Sequence, residues 1–300
     1  MRFKGLDLNL LVALDVLLTE KNVSRAAEKL CLSQSATSGA LARLREYFGD
    51  DLLVPIGRKM AVTPRAAQLA DKVRAALMHI DGTIIQPAVF DPSTVERTIR
   101  IGASDFVVIT RLAEAVRRIT KQAPHLTFVY ETPQRDATQP LIRGEIDLLA
   151  MPEVFLSDTH PSAPYFTDEY VVVMWEENQR YGETMSRKEF FDAHHVSMKF
   201  ASVAPSYEGW FMKQSGVERK VVATASSFTA MPFLLLGTDN IALLQNDLAK
   251  VFAKMMPLRI VPCPIPIPPL VERLQWHAFS EGDQCLSWAR EEILRAERDA

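Results

Sequence analysis

Between residues 33 and 45 the chain places Gln34, Ser35, Ser38, Arg43 and Arg45 at intervals that share one side of an α-helix. Their chemistry is hydrogen bonding rather than bond breaking. Amide, hydroxyl and guanidinium groups match the donors and acceptors on base edges, so a helix carrying them suits a DNA major groove. Nothing else in the chain offers a catalytic set. There is no Gly-rich phosphate loop, no G-x-S-x-G elbow, and no His/Cys/Asp cluster at metal spacing. His194 and His195 adjoin, so in a strand they face opposite ways and cannot share an ion. No catalytic residue, metal ligand or cofactor is expected.

The elements that position this polar face read as a helix-turn-helix. Residues 24–30 make a short helix whose small Ala26 and Ala27 allow a close crossing. Cys31 and Leu32 form the turn, with Leu32 expected to point inward. Ser33 is a good N-cap for the second helix, which sets Ala36, Ala40, Leu41, Leu44 and Phe48 on a core-facing stripe. An ordinary helical hairpin with a solvated face would show the same pattern, so the neighbours decide. Residues 6–20 supply a third amphipathic helix. Asn9 and Asp15 interrupt its apolar run and no small-x-small cleavage site follows, so it does not read as an export signal. Residues 52–63 read as a hairpin with Pro55 and Gly57 as turn residues and Arg58 and Lys59 near the tip, a wing suited to phosphate or minor-groove contact. The DNA-contact candidates are therefore Ser33, Gln34, Ser35, Ser38, Arg43, Arg58 and Lys59.

Thr63-Pro64 starts a further helix, Thr as N-cap and Pro at the first helical position, running to about residue 85. Ala66, Leu69, Val73, Ala76 and Ile80 form one seam, and Ala70, Val73, Leu77, Ile80 and Ile84 another. Such a stripe either packs on its own domain or seeks a partner helix. A dimer is the favoured reading, because groove readers pair half-sites through two-fold symmetry.

The 300 residues are 48% hydrophobic and 24% charged, enough for two or more cored domains. No apolar run is long enough to span a bilayer. Cys31, Cys263 and Cys285 fit no metal or redox spacing and are expected to be buried free thiols in a reducing compartment. The net charge of −3 is not that of a typical nucleic-acid binder, but it is polarised. Residues 1–86 hold 12 Lys/Arg against 9 Asp/Glu, a net of +3, and the remainder carries −6.

After a hinge at residues 86–92, strands and helices alternate. Strands are expected at 98–103, 126–131, 145–150, 195–200, within 217–225, at 241–243 and at 272–279. Helices are expected within 105–120 and at 134–143, 207–214 and 283–298, with Ser227 capping another that runs through residue 236. The pattern describes two α/β lobes with mostly parallel sheets and a cleft between them, a natural small-molecule site. The Pro-rich stretch 262–269 reads as an extended edge or linker.

With these elements in place, the chain resembles the LysR-type transcriptional regulators over essentially its whole length. The resemblance rests on Leu6-Asp-Leu-Asn-Leu-Leu11, Ser24-Arg-Ala-Ala27, Leu32-Ser-Gln34 with Ser38, Thr63-Pro64 and Gly144-Glu-Ile-Asp147. The opening residues 1–15, with Met151-Pro-Glu153, Glu208-Gly-Trp-Phe211 and Trp276-His-Ala278, are similar to the branch of NodD nodulation activators and NahR-like activators of aromatic catabolism. Ser35 replaces a common Pro, Gly39 stands where many members carry a larger polar residue, and Ala66 replaces a common Gly. These departures bear on operator preference rather than on function.

The resemblance implies an N-terminal winged helix-turn-helix (1–63), a long linker and dimerisation helix with hinge (64–90), and a C-terminal two-lobed α/β effector domain of the periplasmic-binding-protein type 2 kind (91–300). Lobe 1 would hold about 95–165 and 270–300, and lobe 2 about 166–269. It implies a cytoplasmic, tetrameric activator that engages double-stranded promoter DNA and RNA polymerase, has no membrane partner, and answers a small aromatic inducer such as a flavonoid or a salicylate-type acid. Matching positions put Ser104, Asp105, Phe106, His195, Ser226, Ser227 and Phe228 along the inducer cleft. Ser104 and Ser227 would offer hydroxyls at helix starts, His195 a donor, and Phe106, Phe200 and Phe228 a ring sandwich. Each also has an ordinary structural reading as a capping Ser, a satisfied strand His or a core Phe. The alternatives are a cytoplasmic solute-binding protein and a repressor-type regulator acting without an aromatic inducer.

Overall fold

A computed structural model describes residues 6–57, 59–84, 90–133, 136–200 and 206–295, and leaves the side chains of residues 81 and 83 undescribed. The chain forms two compact units, Met1–Pro87 with Ile142–Gly144, and Ala88–Leu141 with Glu145–Ala300.

The first unit opens with α1 (Leu8–Glu20), α2 (Val23–Lys29) and α3 (Gln34–Phe48). Each begins at a side-chain cap, Asp7, Asn22 and Ser33, whose oxygen accepts a first-turn backbone N–H. Leu10, Leu14, Leu17, Ala26, Leu41 and Leu44 close one core. Two expectations fail at the turn between α2 and α3. Leu32 does not point inward but is 50% exposed, and Cys31 is exposed rather than buried. Cys31 takes a left-handed φ of 53°, and Leu32 spends its backbone N–H on Ala27 O at 3.0 Å. The turn is thus held by main chain rather than by an apolar plug. The core stripe of α3 also differs. Ala36 is exposed and Thr37 is buried in its place, its hydroxyl donating to Ser33 O at 3.1 Å. That bond satisfies the hydroxyl and lets a polar residue occupy the core face.

Strands β1 (Leu53–Ile56) and β2 (Lys59–Val62) pair antiparallel as the wing. Pro55 is not in the turn; it pairs with Met60 inside β1, a position open to Pro because a two-stranded ribbon has free edges. Gly57 makes the turn with φ +61°. Helix α4 (Pro64–Thr83) follows Thr63, whose hydroxyl accepts Ala66 N–H at 3.1 Å. Its apolar stripe is largely spent inside this unit. Ala66 and Val73 are buried in the core, with Leu69, Ala70 and Leu77 packed against it. Arg74 ties α4 to α1 through Asp15 (2.9 Å) and Thr19 (2.7 Å). Packing on its own domain therefore accounts for much of the seam that suggests a partner helix. Ala76 and Ile84 remain open, the latter 73% exposed.

The second unit contains β3 (Arg97–Gly102), α5 (Asp105–Val107) running through a π turn (Val108–Leu112) into α6 (Ala113–Gln122), β4 (Leu126–Glu131), α7 (Gln139–Ile142), β5 (Leu148–Pro152), β6 (Ser162–Asp168) and β7 (Tyr170–Trp175). Then come α8 (Arg187–Asp192), β8 (His194–Met198), α9 (Tyr207–Gln214), β9 (Lys220–Ala225), β10 (Ile241–Gln245), α10 (Asn246–Ala253), β11 (Leu258–Pro262), β12 (Leu270–Trp276) and α11 (Gln284–Arg295). Two five-stranded sheets result, ordered β4-β3-β5-β12-β6 and β11-β7-β10-β8-β9. The chain crosses between them twice, from β6 to β7 and from β11 to β12.

Both sheets are mixed rather than mostly parallel. β12 runs antiparallel to β5 and β6, and β7 runs antiparallel to β10 and β11. The antiparallel members are the crossover strands and their neighbours, and β6, β7 and β11 are absent from the strands expected from sequence. The Pro-rich stretch after β11 is the second crossover. Ser227 caps no helix. Only short 3-10 turns follow (Phe228–Ala230 and Pro232–Leu234), and Pro232 removes an N–H that a longer helix would need. Cys263 is half-buried and Cys285 buried.

Candidate functional site

In the first unit the outer face of α3 is exposed at Gln34, Ser35, Ser38, Gly39, Ala42 and Arg43. Gly39 has open space where a Cβ would stand, so the middle of this face is low and lets a flat partner approach. Ser33 is only partly available. Its Oγ accepts Ala36 N–H at 3.1 Å and lies 3.0 Å from Ser35 Oγ. Arg45 does not belong to the face. Its guanidinium donates to Asp51 O and Leu53 O, each at 2.7 Å, and so braces the root of the wing against α3. Lys59 is exposed at the start of β2, opposite Ile56. Arg58 lies outside the described residues.

In the second unit a cavity of about 490 Å³, part of it open to solvent, lies between the two sheets. Ser104, Phe106, Pro133, Met151, Pro152 and Phe155 line it from the elements of the first sheet. Tyr170, Phe200, Ser206, Tyr207, Phe228 and Gln245 line it from those of the second, and Leu270 and Glu272 close it from β12. The walls are ring upon ring. Phe228 sits edge-on to Phe106 (6.3 Å between centroids) and to Phe200 (6.1 Å), and Tyr207 stacks on Tyr170 at 6.1 Å. Ser104 owes its place to capping α5, accepting Val107 N–H.

Four polar side chains in this wall are buried, and one of them, Ser206, uses its Oγ to accept Gly209 N–H at 3.4 Å. Glu272 Oε2 and Gln245 Oε1 have no hydrogen-bond partner, and the Tyr170 hydroxyl makes none of good geometry, although the Glu208 amide lies near it. Burial alone pushes the Glu272 carboxyl up to about 8, so at neutral pH it is an uncharged acid. Burial, with the carboxylates of Glu208 and Glu272, also drives the Tyr170 phenol well above its usual range. Glu208 beyond it is raised by burial and drawn back by Arg219, 3.8 Å away.

The cleft residues expected from sequence divide in two. Ser104, Phe106, Phe200 and Phe228 are brought together in the wall. Asp105, His195, Ser226 and Ser227 are not. Asp105 Oδ2 accepts Thr229 N–H at 2.8 Å and so joins the two halves of the unit, a task shared with the Arg111–Asp247 ion pair at 2.6 Å. His195 is fully buried under Phe190, its Nε2 2.7 Å from Phe190 O, and burial lowers it to about 4. It faces helix α8 and lies outside the cavity lining, with its Nδ1 buried and unpaired. Ser227 instead meets the Thr229 hydroxyl at 3.1 Å. Sequence reasoning misses Tyr170, Gln245 and Glu272. Glu272 carries one signal, a lone acid between the apolar Leu270 and Leu274 of a strand.

A winged helix-turn-helix on one unit and a two-sheet α/β unit with a cavity on the other define the class of DNA-binding transcriptional regulators. The particular family is given by comparison. Residues 8–67 match the bacterial regulatory helix-turn-helix protein model of the lysR family, and residues 92–298 match the LysR substrate binding domain, so the chain belongs to the LysR family. It is 41% identical over 296 residues to Nodulation protein D 2 of Rhizobium tropici, covering 98% of this chain and 94% of the relative. It is 42% identical to Nodulation protein D 1 of Sinorhizobium fredii, covering 98% and 92%. Among solved structures, a "probable transcriptional regulator" from Pseudomonas aeruginosa matches at 28% identity and TM-score 0.67, covering 97% of each chain. A full-length OxyR variant from the same species matches at 15% and 0.78, covering 98% and 95%, a likeness of fold alone. The chain is a DNA-binding transcriptional regulator, and its family and relatives are not enzymes. Among the described residues no helix is long and apolar enough to cross a membrane.

Proposed function

We propose that this regulator activates transcription when a small aromatic or phenolic inducer occupies the cavity of its second unit. Residues 1–63 read promoter DNA, 64–90 link and pair the subunits, and 91–300 sense the inducer. The observation that carries the reading is the cavity wall: six aromatic rings, from Phe106, Phe155, Phe200, Phe228, Tyr170 and Tyr207, around a space fit for a ring. Because the wall draws on both sheets, and Asp105–Thr229 and Arg111–Asp247 also join both halves, occupancy biases how the halves sit and so shifts a pre-existing equilibrium. Ser33, Gln34, Ser35, Ser38 and Arg43 face base edges, and Arg58 and Lys59 face phosphates. A second copy pairs through the part of α4 left open, at Ala76, Ile80 and Ile84, and two such dimers assemble as a tetramer in the cytoplasm, where they meet RNA polymerase.

The test is footprinting of the DNA upstream of the protein's own gene, at two salt concentrations, with and without candidate phenols. An interrupted-palindrome site with steep salt dependence, whose edges move when a phenol is added, is the expected result. Lack of protection even at low salt overturns the DNA assignment. Protection indifferent to every aromatic tried overturns the inducer and favours a regulator that works without one.

A further inference from the structure

Rings and aliphatic side chains alone would suffice to hold a planar ligand, yet the same wall contains polar atoms that the protein leaves unused. Glu272 stands on β12, paired with Pro152 of β5, and is 3% exposed. Gln245 ends β10 and is 2% exposed. Both line the cavity, and neither Glu272 Oε2 nor Gln245 Oε1 has a partner. Buried polar atoms are almost always paired, and each one left bare costs stability, so two in one cavity wall point to a group that arrives from outside.

We propose that Glu272 and Gln245 form a hydroxyl-reading pair, Gln245 Oε1 accepting the proton of a neutral ligand hydroxyl while the Glu272 carboxylic acid donates to its oxygen, and that this pair rejects ligand carboxylates. The assignment rests on the inducer reading above and deepens it. A hydroxyl carries one donor and two lone pairs, which one acceptor and one protonated acid complete. A carboxylate could accept from the Gln245 amide N–H and from the Glu272 acid, but no described cation lines the cavity to balance its full negative charge. The protonated form of Glu272 is the one that burial imposes near neutral pH. Its titratable surroundings are the Tyr170 phenol on β7, the Tyr207 phenol on α9 stacked on that ring, and, past Tyr170, Glu208 on α9, which faces Arg219. Burial is the whole cause of the Glu272 shift, with no positive charge set against it to pull the proton off. Affinity for a neutral hydroxyl is therefore tied to the proton on Glu272 and falls once that proton leaves.

Calorimetric titration of the full-length protein with 4-phenylphenol and with biphenyl-4-carboxylate tests this, since the two probes share a shape and differ in the polar group. At pH 7 the phenol is expected to bind at least about tenfold tighter than the acid. Glu272→Leu is expected to weaken the phenol about tenfold and to narrow the gap to the acid, whereas Glu272→Gln, which keeps a donor, holds phenol binding within about threefold. Gln245→Leu is the second, independent variant and is expected to weaken the phenol likewise. From pH 7 to pH 9 phenol binding by the native protein weakens more than binding by Glu272→Gln, which corrects for ionisation of the probe itself. If the native protein binds the acid as well as the phenol, or if Glu272→Leu and Gln245→Leu both bind the phenol as tightly as the native protein, the pair is refuted while aromatic occupancy stands. Binding of neither probe at millimolar concentration overturns the aromatic reading and the pair with it.

Discussion

The two units of this chain place their working groups on opposite sides of a surface. In the first, the groups proposed to read DNA sit on the outside of α3, while Thr37, Ala40, Leu41 and Leu44 hold the inside. In the second, the candidate ligand contacts lie between two sheets, and the exposed surface carries little of the site. The difference has an energetic consequence. Gln34, Ser35 and Ser38 are hydrated when idle and cost the fold nothing. Gln245 Oε1 and Glu272 Oε2 are buried and unpaired, so each carries a standing penalty. An exposed site needs a rigid scaffold beneath it; a buried site needs its ligand to complete it.

The largest test of that contrast removes the scaffold. Leu44 is fully buried beneath the reading face, and Leu44→Ala is expected to cost about 2–5 kcal/mol. Denaturant unfolding followed alongside DNA binding should show both lost together, with phenol binding by the second unit retained. If DNA binding survives the loss of stability, the face does not depend on the core under it. Acid and base probe the second unit. His195 is held neutral by burial, with a folded value of about 4 against 6.5. Its contribution is present above pH 6.5 and is lost as pH falls through 4, on the order of 3 kcal/mol at most. Glu272, at about 8, acts in the opposite sense. Its contribution is complete below its ordinary carboxyl range and is lost as pH rises through 8. Melting temperatures of the native protein should thus decline on both sides of a middle range, and Glu272→Gln should flatten the alkaline limb alone. An unchanged alkaline limb in that variant would show that Glu272 is not buried as an acid.

The reading face is broken more gently. Gln34→Ala is expected to lose about 1–3 kcal/mol at the specific site and little on random DNA. Lys59→Ala should weaken all DNA about equally and reduce the salt slope by ~1. Filter binding across a salt series separates the two. Equal losses on both DNAs from Gln34→Ala would move that residue from base edge to backbone.

How much of each unit is legible in sequence follows the same contrast. The first is written in local signals: Ser33 and Thr63 as caps, Pro64 at the first helical position, and Gly57 in the turn are all within a few residues of what they control. Even there Leu32 and Ala36 escape those signals, because the turn is fixed by a main-chain bond and Thr37 can hide its hydroxyl against Ser33 O. In the second unit four wall residues can be anticipated: Ser104, Phe106 and Phe228 come by resemblance, and Phe200 as a further ring able to sandwich an aromatic. Tyr170, Gln245 and Glu272 belong to three strands far apart in sequence. No periodicity joins them: Tyr170 and Gln245 meet as register partners of β7 and β10, and Glu272 comes from the other sheet, on the strand after the second crossover. His195 misleads for the same reason: its alternation in β8 says that it faces inward, but not that Phe190 is what it faces.

Ser33 is where the two kinds of site overlap, since one hydroxyl both caps α3 and stands at the edge of its reading face. Ser33→Ala removes the acceptor for Ala36 N–H and is expected to destabilise the unit by about 1 kcal/mol. Ser33→Asn keeps a capping oxygen and should recover most of that. DNA affinity then tells which role matters. If affinity follows stability, falling in Ser33→Ala and returning in Ser33→Asn, Ser33 serves DNA only by fixing the first turn from which Gln34 and Ser35 project. If Ser33→Asn is stable but still binds weakly, the hydroxyl itself meets the nucleic acid, and the division between scaffold and reader does not hold at this residue.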